Sequence, residues 1–292
     1  MKITNNANLP MPFVRMAEDK YEIKPKRYSI TTLLKPVREI LLNRRYNEDI
    51  EQDCSDMIWL LFGKAVHSIL EQYSAGASEF AEEKLVVELE NGYTISGVID
   101  LYDIDKAEVV DYKTASVWKA IYKDYDDWKK QGLGYAWLLK QNGLPCKSVV
   151  FYAILKDWSK QKAKHDHEYP QSPVVKVEFT VSDEEIAEID KYLRSKIDEI
   201  ILYEKKPDAE LPLCSEEDRW HDKDTFAVMK KGRKTALRVL DSMAAAEEWK
   251  NQNGGDFIES RKGVDKKCAD YCLCCTKCDF WKSLQEVANG ES

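Results

Sequence analysis

The chain has 292 residues, 43% of them hydrophobic, with 44 Lys and Arg against 52 Asp and Glu and a formal net charge of −8 at pH 7. That length holds one large or two modest domains, and no apolar run approaches the roughly 20 residues that span a bilayer. The acidic balance argues against indiscriminate nucleic-acid binding, because phosphate contacts need cations. The start, Met1-Lys-Ile-Thr-Asn-Asn6, lacks the apolar centre of a signal peptide, so a cytoplasmic protein is expected.

Residues 1–28, with Pro10, Pro12 and Pro25 and little periodicity, are expected to form an irregular arm. Ser29-Ile-Thr-Thr opens a helix that runs to about Arg45, with Pro36 restricting its start. A second helix is predicted over 55–74 with Ser55 as N-cap. Its residues Ile58, Leu61, Phe62, Ala65, Ile69 and Leu70 recur at helical period. Strands follow at about 84–90, 94–103 and 107–114. A long helix at 124–142 stops at Asn142-Gly143. A buried strand is expected at 147–155, then a polar loop over 156–173, a strand at 174–180 and a helix at 182–204. Ser182 and Glu185 read as a capping box for that last helix.

This order predicts an α/β core with a mixed central sheet flanked by helices over 29–204. Residues 205–292 read as a basic and cysteine-rich appendage. It would hold a hairpin around Lys231-Gly232-Arg233, an alanine-rich helix at 242–252 and a cysteine tail.

The stretch Gly97-Val-Ile-Asp100 to Asp111-Tyr-Lys113 carries the most information. Two β-prone runs flank a polar turn at Asp103–Lys106, which is a hairpin signal. A turn centred between Asp105 and Lys106 places Asp100 opposite Asp111. Cβ atoms of opposed residues lie roughly 5 Å apart, and like charges so placed repel. Lys113 shares the face of Asp111. A divalent cation would relieve the repulsion, and two carboxylates with a lysine suit metal-assisted phosphodiester hydrolysis. The acid-any-Lys spacing alone selects nothing, since it recurs at Glu22–Lys24, Asp127–Lys129, Glu248–Lys250 and Asp265–Lys267.

Gly63, His67 and Glu71 are spaced i, i+4, i+8 on the second helix and share one stripe. Gly63 would admit a close neighbour, and His67 is either an ordinary edge histidine or a third metal ligand. Gln131 and Tyr135, also i, i+4, offer an amide and a phenol on one face, for a phosphate or for the lysine. The tail reads Cys268-x3-Cys272-Leu-Cys274-Cys275-x2-Cys278, and four thiolates can close a zinc site or hold an iron–sulfur cluster. Cys214 is a candidate distant ligand, whereas Cys54 and Cys146 read as buried small hydrophobes. Two basic clusters, Lys230–Arg238 and Arg261–Lys267, are either solvated faces or a nucleic-acid path. No Gly-x4-Gly-Lys-Ser/Thr run is present, so the chain carries no helicase signature.

In series, Gly63-x3-His67, Gly97-x-Ile99-Asp100, Asp111-Tyr112-Lys113 and Gln131-x3-Tyr135 resemble the PD-(D/E)xK nuclease superfamily. The likeness is to its RecB-like and CRISPR-adaptation exonucleases, and runs over about residues 29–155. Asp157-Trp158-Ser159, Cys214 to Trp220 and Phe226 to Gly232 look more loosely like phage-encoded members. The resemblance implies a restriction-endonuclease-like core and a metal-dependent DNA exonuclease. It would act on DNA ends or single strands in recombination, repair or phage replication, in a bacterial or phage-infected cytoplasm and with partner proteins of those processes. An endonuclease with the same site, or a non-catalytic DNA-binding accessory protein, are the alternatives. His67, Asp100, Asp111 and the Tyr112 carbonyl would hold Mg2+ or Mn2+. Lys113 would position the attacking water, Gln131 and Tyr135 would support the lysine and the DNA, and Glu71 would stand behind them.

Ile99 stands where the family nominally has proline. Clustered relatives draw one cysteine from before the core and three from after it. Here Cys214, Cys268, Cys272 and Cys278 are the favoured ligands of a [4Fe-4S] cluster or a structural Zn2+, with Cys54, Cys274 and Cys275 as alternates.

Overall fold

The turn at Ile104–Ala107 organises the central sheet. Asp103 caps it, accepting hydrogen bonds from the Lys106 amide at 3.0 Å and the Lys106 ammonium at 2.5 Å. Those contacts hold the Asp103 carboxyl below the usual range. Ala107 turns the corner at φ 55°. The structure, a computed structural model, describes residues 1–18, 23–73 and 79–290. The chain divides into two compact units, Met1–Lys206 and Pro207–Ser292.

The first unit runs β1 (Lys2–Thr4), α1 (Met11–Glu18), β2 (Arg27–Ser29), α2 (Ile30–Leu33), α3 (Val37–Arg45), β3 (Glu51–Asp53), α4 (Ile58–Gln72), β4 (Glu79–Glu88), β5 (Thr94–Asp103), β6 (Glu108–Ala115), α5 (Val117–Tyr122), α6 (Asp126–Gln141), β7 (Ser148–Leu155), α7 (Lys160–His165), β8 (Val174–Thr180) and α8 (Asp183–Tyr203). Its main sheet has the order β2-β5-β6-β7-β8, with β4 also on β5. The sheet is mixed: β2 is parallel to β5 and β6 to β7, and the other pairs are antiparallel.

One detail of this topology shapes the site. β4 follows β5 along its length, so β2 and β6 share the other edge of β5. β2 pairs with Thr94–Ser96, and β6 pairs with Leu101–Asp103. Residues 97–100 therefore border an opening in the sheet. The β5–β6 register is the one the hairpin predicts, each pair of residue numbers summing to 211, but the pairing stops at Leu101–Val110. The next pair would be Asp100 and Asp111.

α6 seals one face of the sheet. A Cβ on Gly132 would come within 2.7 Å of Val149 Cγ1, and one on Gly97 within 2.7 Å of Leu138 Cδ1 and 3.0 Å of the Tyr135 ring. Trp137 and Leu138 are fully buried in this layer, and Trp128 stacks on Phe151 at 5.6 Å. Leu101 packs instead with Val110 and Val150 on the other face. Strict alternation would put Gly97 and Leu101 on one face, so β5 changes face between them, next to the opening.

Several expectations are corrected. The arm 1–28 is not irregular throughout: it carries β1, α1 and β2, and β2 joins the main sheet. The helix expected over 29–45 is two helices, α2 and α3, divided before Pro36, which lacks an N–H and disfavours helical geometry in the residue ahead of it. Asp53, not Ser55, caps the turn that leads into α4, its Oδ1 accepting from the Ser55 amide at 3.0 Å. The helix expected over 124–142 is preceded by α5, which ends at Lys123 with φ 53°. The loop over 156–173 contains α7. The apolar residues of α4 do not make it a core helix: none of its 15 residues is buried. The Ser182–Glu185 capping box of α8 is present.

The second unit contains α9 (Glu216–Arg219), β9 (Thr225–Met229), β10 (Arg238–Leu240), α10 (Met243–Asn253), β11 (Phe257–Arg261), α11 (Lys266–Asp270) and α12 (Asp279–Gly290). The strands form an antiparallel sheet in the order β10-β9-β11. β9 and β10 make the expected hairpin, and β11, which the sequence reading did not separate, pairs with the other edge of β9. Among the described residues no helix is long and apolar enough to cross a membrane.

Candidate active site

β6 places successive side chains on opposite faces of the sheet. Asp111 and Lys113 face α6. Tyr112 and Thr114 face α4, where the Tyr112 ring lies edge-on to His67 at 6.3 Å and Gly63 adjoins Thr114. On the α6 side, Asp111 is 2% exposed and its Oδ1 lies 2.6 Å from Lys113 Nζ. The same ammonium donates to Gln131 Oε1 at 3.0 Å. Gln131 Nε2 donates to the Tyr135 hydroxyl at 2.7 Å and reaches Asp111 Oδ2 at 3.4 Å. One glutamine thus links the acid, the lysine and the phenol. Tyr135 can lie there because Gly97 beneath it has no side chain.

Asp100 sits at the opening of the sheet. Its Oδ2 accepts from the Tyr112 amide at 2.8 Å, replacing the ladder bond the strands no longer make. Its Oδ1 lies 3.2 Å from His67 Nδ1. That hydrogen bond raises the His67 pKa, against the opposing effect of burial, with help from the charges of Asp100 and Asp111 and a main-chain bond to Tyr112. Burial raises the pKa of the Asp111 carboxyl. Lys113 opposes that shift and Asp100 adds to it. The structure therefore brings His67, Asp100, Asp111, Tyr112, Lys113, Gln131 and Tyr135 together. Glu71 lies one turn beyond His67, exposed on the last turn of α4. Gly63 is not demanded by packing, because a Cβ there would meet only Thr114 Oγ1 at 3.7 Å.

Gly97 is the contributor that the sequence reading left without a role, although it heads the Gly97-x-Ile99-Asp100 motif. Asp157 is another: its carboxylate accepts from Ser116 Oγ and the Val117 amide, fastening the end of β6 to the end of β7.

Among the described residues no group of three or more His, Cys, Asp or Glu side chains is gathered as a metal site. The Lys113 ammonium supplies positive charge beside Asp111, and His67 lies against Asp100. The donors nevertheless suit a hard divalent cation: two carboxylates and an imidazole, with Asp111 Oδ1 buried against the Lys113 ammonium and, among the described residues, without a well-angled hydrogen bond.

In the second unit, burial and the neighbouring Cys272, Asp265, Cys214 and Cys278 push the Cys268 thiol up to about 12. Burial and the neighbouring Cys272 and Cys278 push the Cys275 thiol up as well, so Cys275 stands among the same cysteines. Cys274 is buried, and its sulfur lies 3.6 Å from that of Cys272. In the first unit, Cys54 is buried with Ala17 and Met57 and donates to Asn5 Oδ1 at 3.3 Å, a packing role. Cys146, half-buried, donates to the Ser148 carbonyl at 3.4 Å. Of the basic residues, Lys230, Lys231, Arg233, Lys234 and Arg238 are exposed, whereas Arg261, Lys262 and Lys266 pair with Glu259, Asp224 and Asp222.

No curated protein matches the chain. Among solved structures, that of SSO0001 matches at 18% identity and a TM-score of 0.47, over 68% of this chain and 85% of that one. A phage related exonuclease from Haemophilus somnus matches at 16% identity and a TM-score of 0.37, over 62% and 96%. An alkaline exonuclease from Laribacter hongkongensis matches at 12% identity and a TM-score of 0.35, over 64% and 95%. The family model of the PD-(D/E)XK nuclease superfamily matches residues 31–216, which contain every residue of the site just described. On that match, with the mixed sheet and the acid–lysine pair on its central hairpin, the chain belongs to the PD-(D/E)XK nuclease superfamily.

Proposed function

We propose that the first unit is a Mg2+- or Mn2+-dependent deoxyribonuclease that degrades DNA from ends or in single strands, in recombination, repair or phage replication. The observation that carries the reading is the Asp111–Lys113–Gln131–Tyr135 network, set against Asp100 and His67 at an opening in the sheet. Lys113 is held from two sides, by a carboxylate and an amide oxygen, so its ammonium has a fixed direction. A cation so placed can orient a water toward a phosphorus atom and offset the charge that grows on the phosphoryl oxygens. The water gives up a proton as the new P–O bond forms, and the leaving oxygen takes one as the old bond breaks. His67, Asp100, Asp111 and the Tyr112 carbonyl would hold the metal ion, which would lower the pKa of a bound water toward neutrality. Holding it requires His67 in its neutral form. Gln131, steadied by Tyr135, keeps the lysine in place, and the pair would support the DNA backbone.

The exonuclease part of the reading rests on the motif series. It is tested by digesting linear and covalently closed circular DNA of the same sequence with Mg2+ or Mn2+. Loss of the linear form alone supports it, and cutting of closed circles replaces it with an endonuclease. Activity that survives in both Asp111→Asn and Lys113→Ala would refute the site.

For the second unit the proposal is a thiolate-bound [4Fe-4S] cluster on Cys214, Cys268, Cys272 and Cys278, supported by the nearness of the other three to Cys268, with Cys275, beside Cys272 and Cys278, as the alternate ligand. An absorbance band near 400 nm in freshly purified protein, lost with Cys268→Ser, is the expected result. A colourless protein holding one equivalent of zinc would assign the site to zinc. The exposed Lys230–Arg238 cluster would contact DNA phosphates on that unit.

A further inference from the structure

Two elements, α4 and α5, leave aromatic rings in solvent around the end of β6 that carries Lys113. On α4, Trp59 is 62% exposed and meets Phe62 edge-on at 6.4 Å. On α5, Trp118 and Tyr122 are 53% and 73% exposed and stack on each other at 5.7 Å. Beside them Lys156, just past β7, places its ammonium 4.2 Å from the centre of the Trp59 ring.

These groups share one place in the fold. The Lys156 amide donates to the Ala115 carbonyl at 2.9 Å, and the next residue, Asp157, accepts from Ser116 and Val117 at the start of α5. Trp59, Gly63 and His67 form one i, i+4, i+8 stripe of α4. Gly63 lies by Thr114 and His67 by Asp100. From His67, the stripe therefore carries Trp59 about 12 Å along the helix axis, toward the end of β6 where Lys156 meets it.

Large aromatic side chains bury much apolar area when they pack, so a cluster left exposed and rimmed by lysine marks an interaction surface. Its chemistry is selective. Exposed ring faces accept stacked bases of any sequence, and a lysine over a ring can turn to a phosphate. A paired duplex hides its base faces, whereas a single strand offers them.

Resting on the nuclease reading above, we infer that Trp59 with Lys156, and the stacked Trp118–Tyr122 pair, form a path for single-stranded nucleic acid, whose bases stack on these rings as the backbone runs to Lys113. The surface sets a preference for single-stranded or frayed ends.

The full chain, with EDTA to prevent cleavage, is titrated with a fluorescein-labelled oligothymidylate and with a blunt duplex of equal length. Trp59→Ala and Trp118→Ala should each weaken oligothymidylate binding about tenfold and leave duplex binding within about twofold. Trp59→Phe should restore binding and Trp59→Leu should not, because stacking needs a ring. Leu202→Ala, at an exposed position of α8, is the control. Unchanged single-strand affinity in both alanine variants, in an enzyme that still cuts DNA with Asp111 dependence, overturns this inference and spares the nuclease reading. Rescue by Trp59→Leu, or conversion of a dimer to a monomer by Trp59→Ala, also overturns it by assigning the surface to apolar packing. A wild-type chain that neither binds nor cuts DNA removes both proposals.

Discussion

Helices α4 and α6 lie on opposite faces of β6, and each brings part of the candidate site to the same strand. α6 has eight buried residues, from Trp128 to Leu139, and glycines that let it press against the sheet. α4 has none, and shows Trp59, Leu60, Phe62 and Ile69 to solvent. The difference separates two tasks. Close packing leaves Gln131 and Tyr135 few alternative rotamers, which suits groups that must hold a lysine in place. A helix that packs loosely keeps His67 and the rings beyond it within reach of a long substrate.

The sharpest way to break the comparison is at the strand both helices share. Lys113→Ala or Asp111→Asn should lower the cleavage rate about 10³-fold, measured on linear DNA with saturating Mg2+. Next is the supporting amide. Gln131→Ala should cost roughly 10- to 100-fold by loosening the lysine, and its melting temperature should stay close to that of the wild type.

The same glycine-to-alanine change should then have opposite signs on the two helices. At Gly132 the new methyl falls 2.7 Å from Val149 Cγ1, and overpacking should destabilise by about 1–3 kcal/mol. At Gly63 it meets only Thr114 Oγ1 at 3.7 Å, and the gain in helix propensity should stabilise by about 0.5–1 kcal/mol. Denaturant unfolding measures both. Equal signs would mean that the packing difference is not energetic.

The smallest effect concerns pH. Asp111 and His67 both have raised pKa values, so the folded state holds their protons more tightly than the unfolded chain does. The stability they contribute is present below the unfolded values, near 4 for Asp and 6.5 for His. It is lost as pH rises through the higher folded values. The melting temperature of the metal-free protein should fall from about pH 5 to pH 8, and Asp111→Asn should flatten the slope. A slope that Asp111→Asn leaves unaltered would locate the titration elsewhere.

Much of the site lay open in the sequence, because short-range rules governed it. The hairpin register followed from Asp103–Lys106, whose own side chains close the turn. The capping box of α8 involves residues three apart. The face change in β5 was not legible, since it arises where β2 and β6 divide one edge of a strand between them. Nor was the exposure of α4, because apolar periodicity identifies a helical face without saying what meets it.

Sequence alone determined which groups are available and where turns and caps fall, because hydrogen bonds between near neighbours in the chain decide these locally. Only the tertiary structure decided that Gln131, 18 residues from Lys113, closes the network around it, and that Asp100 takes the Tyr112 amide where the ladder stops. Both depend on α6 and the two halves of the β5 edge packing against one another. That balance of burial and pairing belongs to the whole sheet and to no single segment.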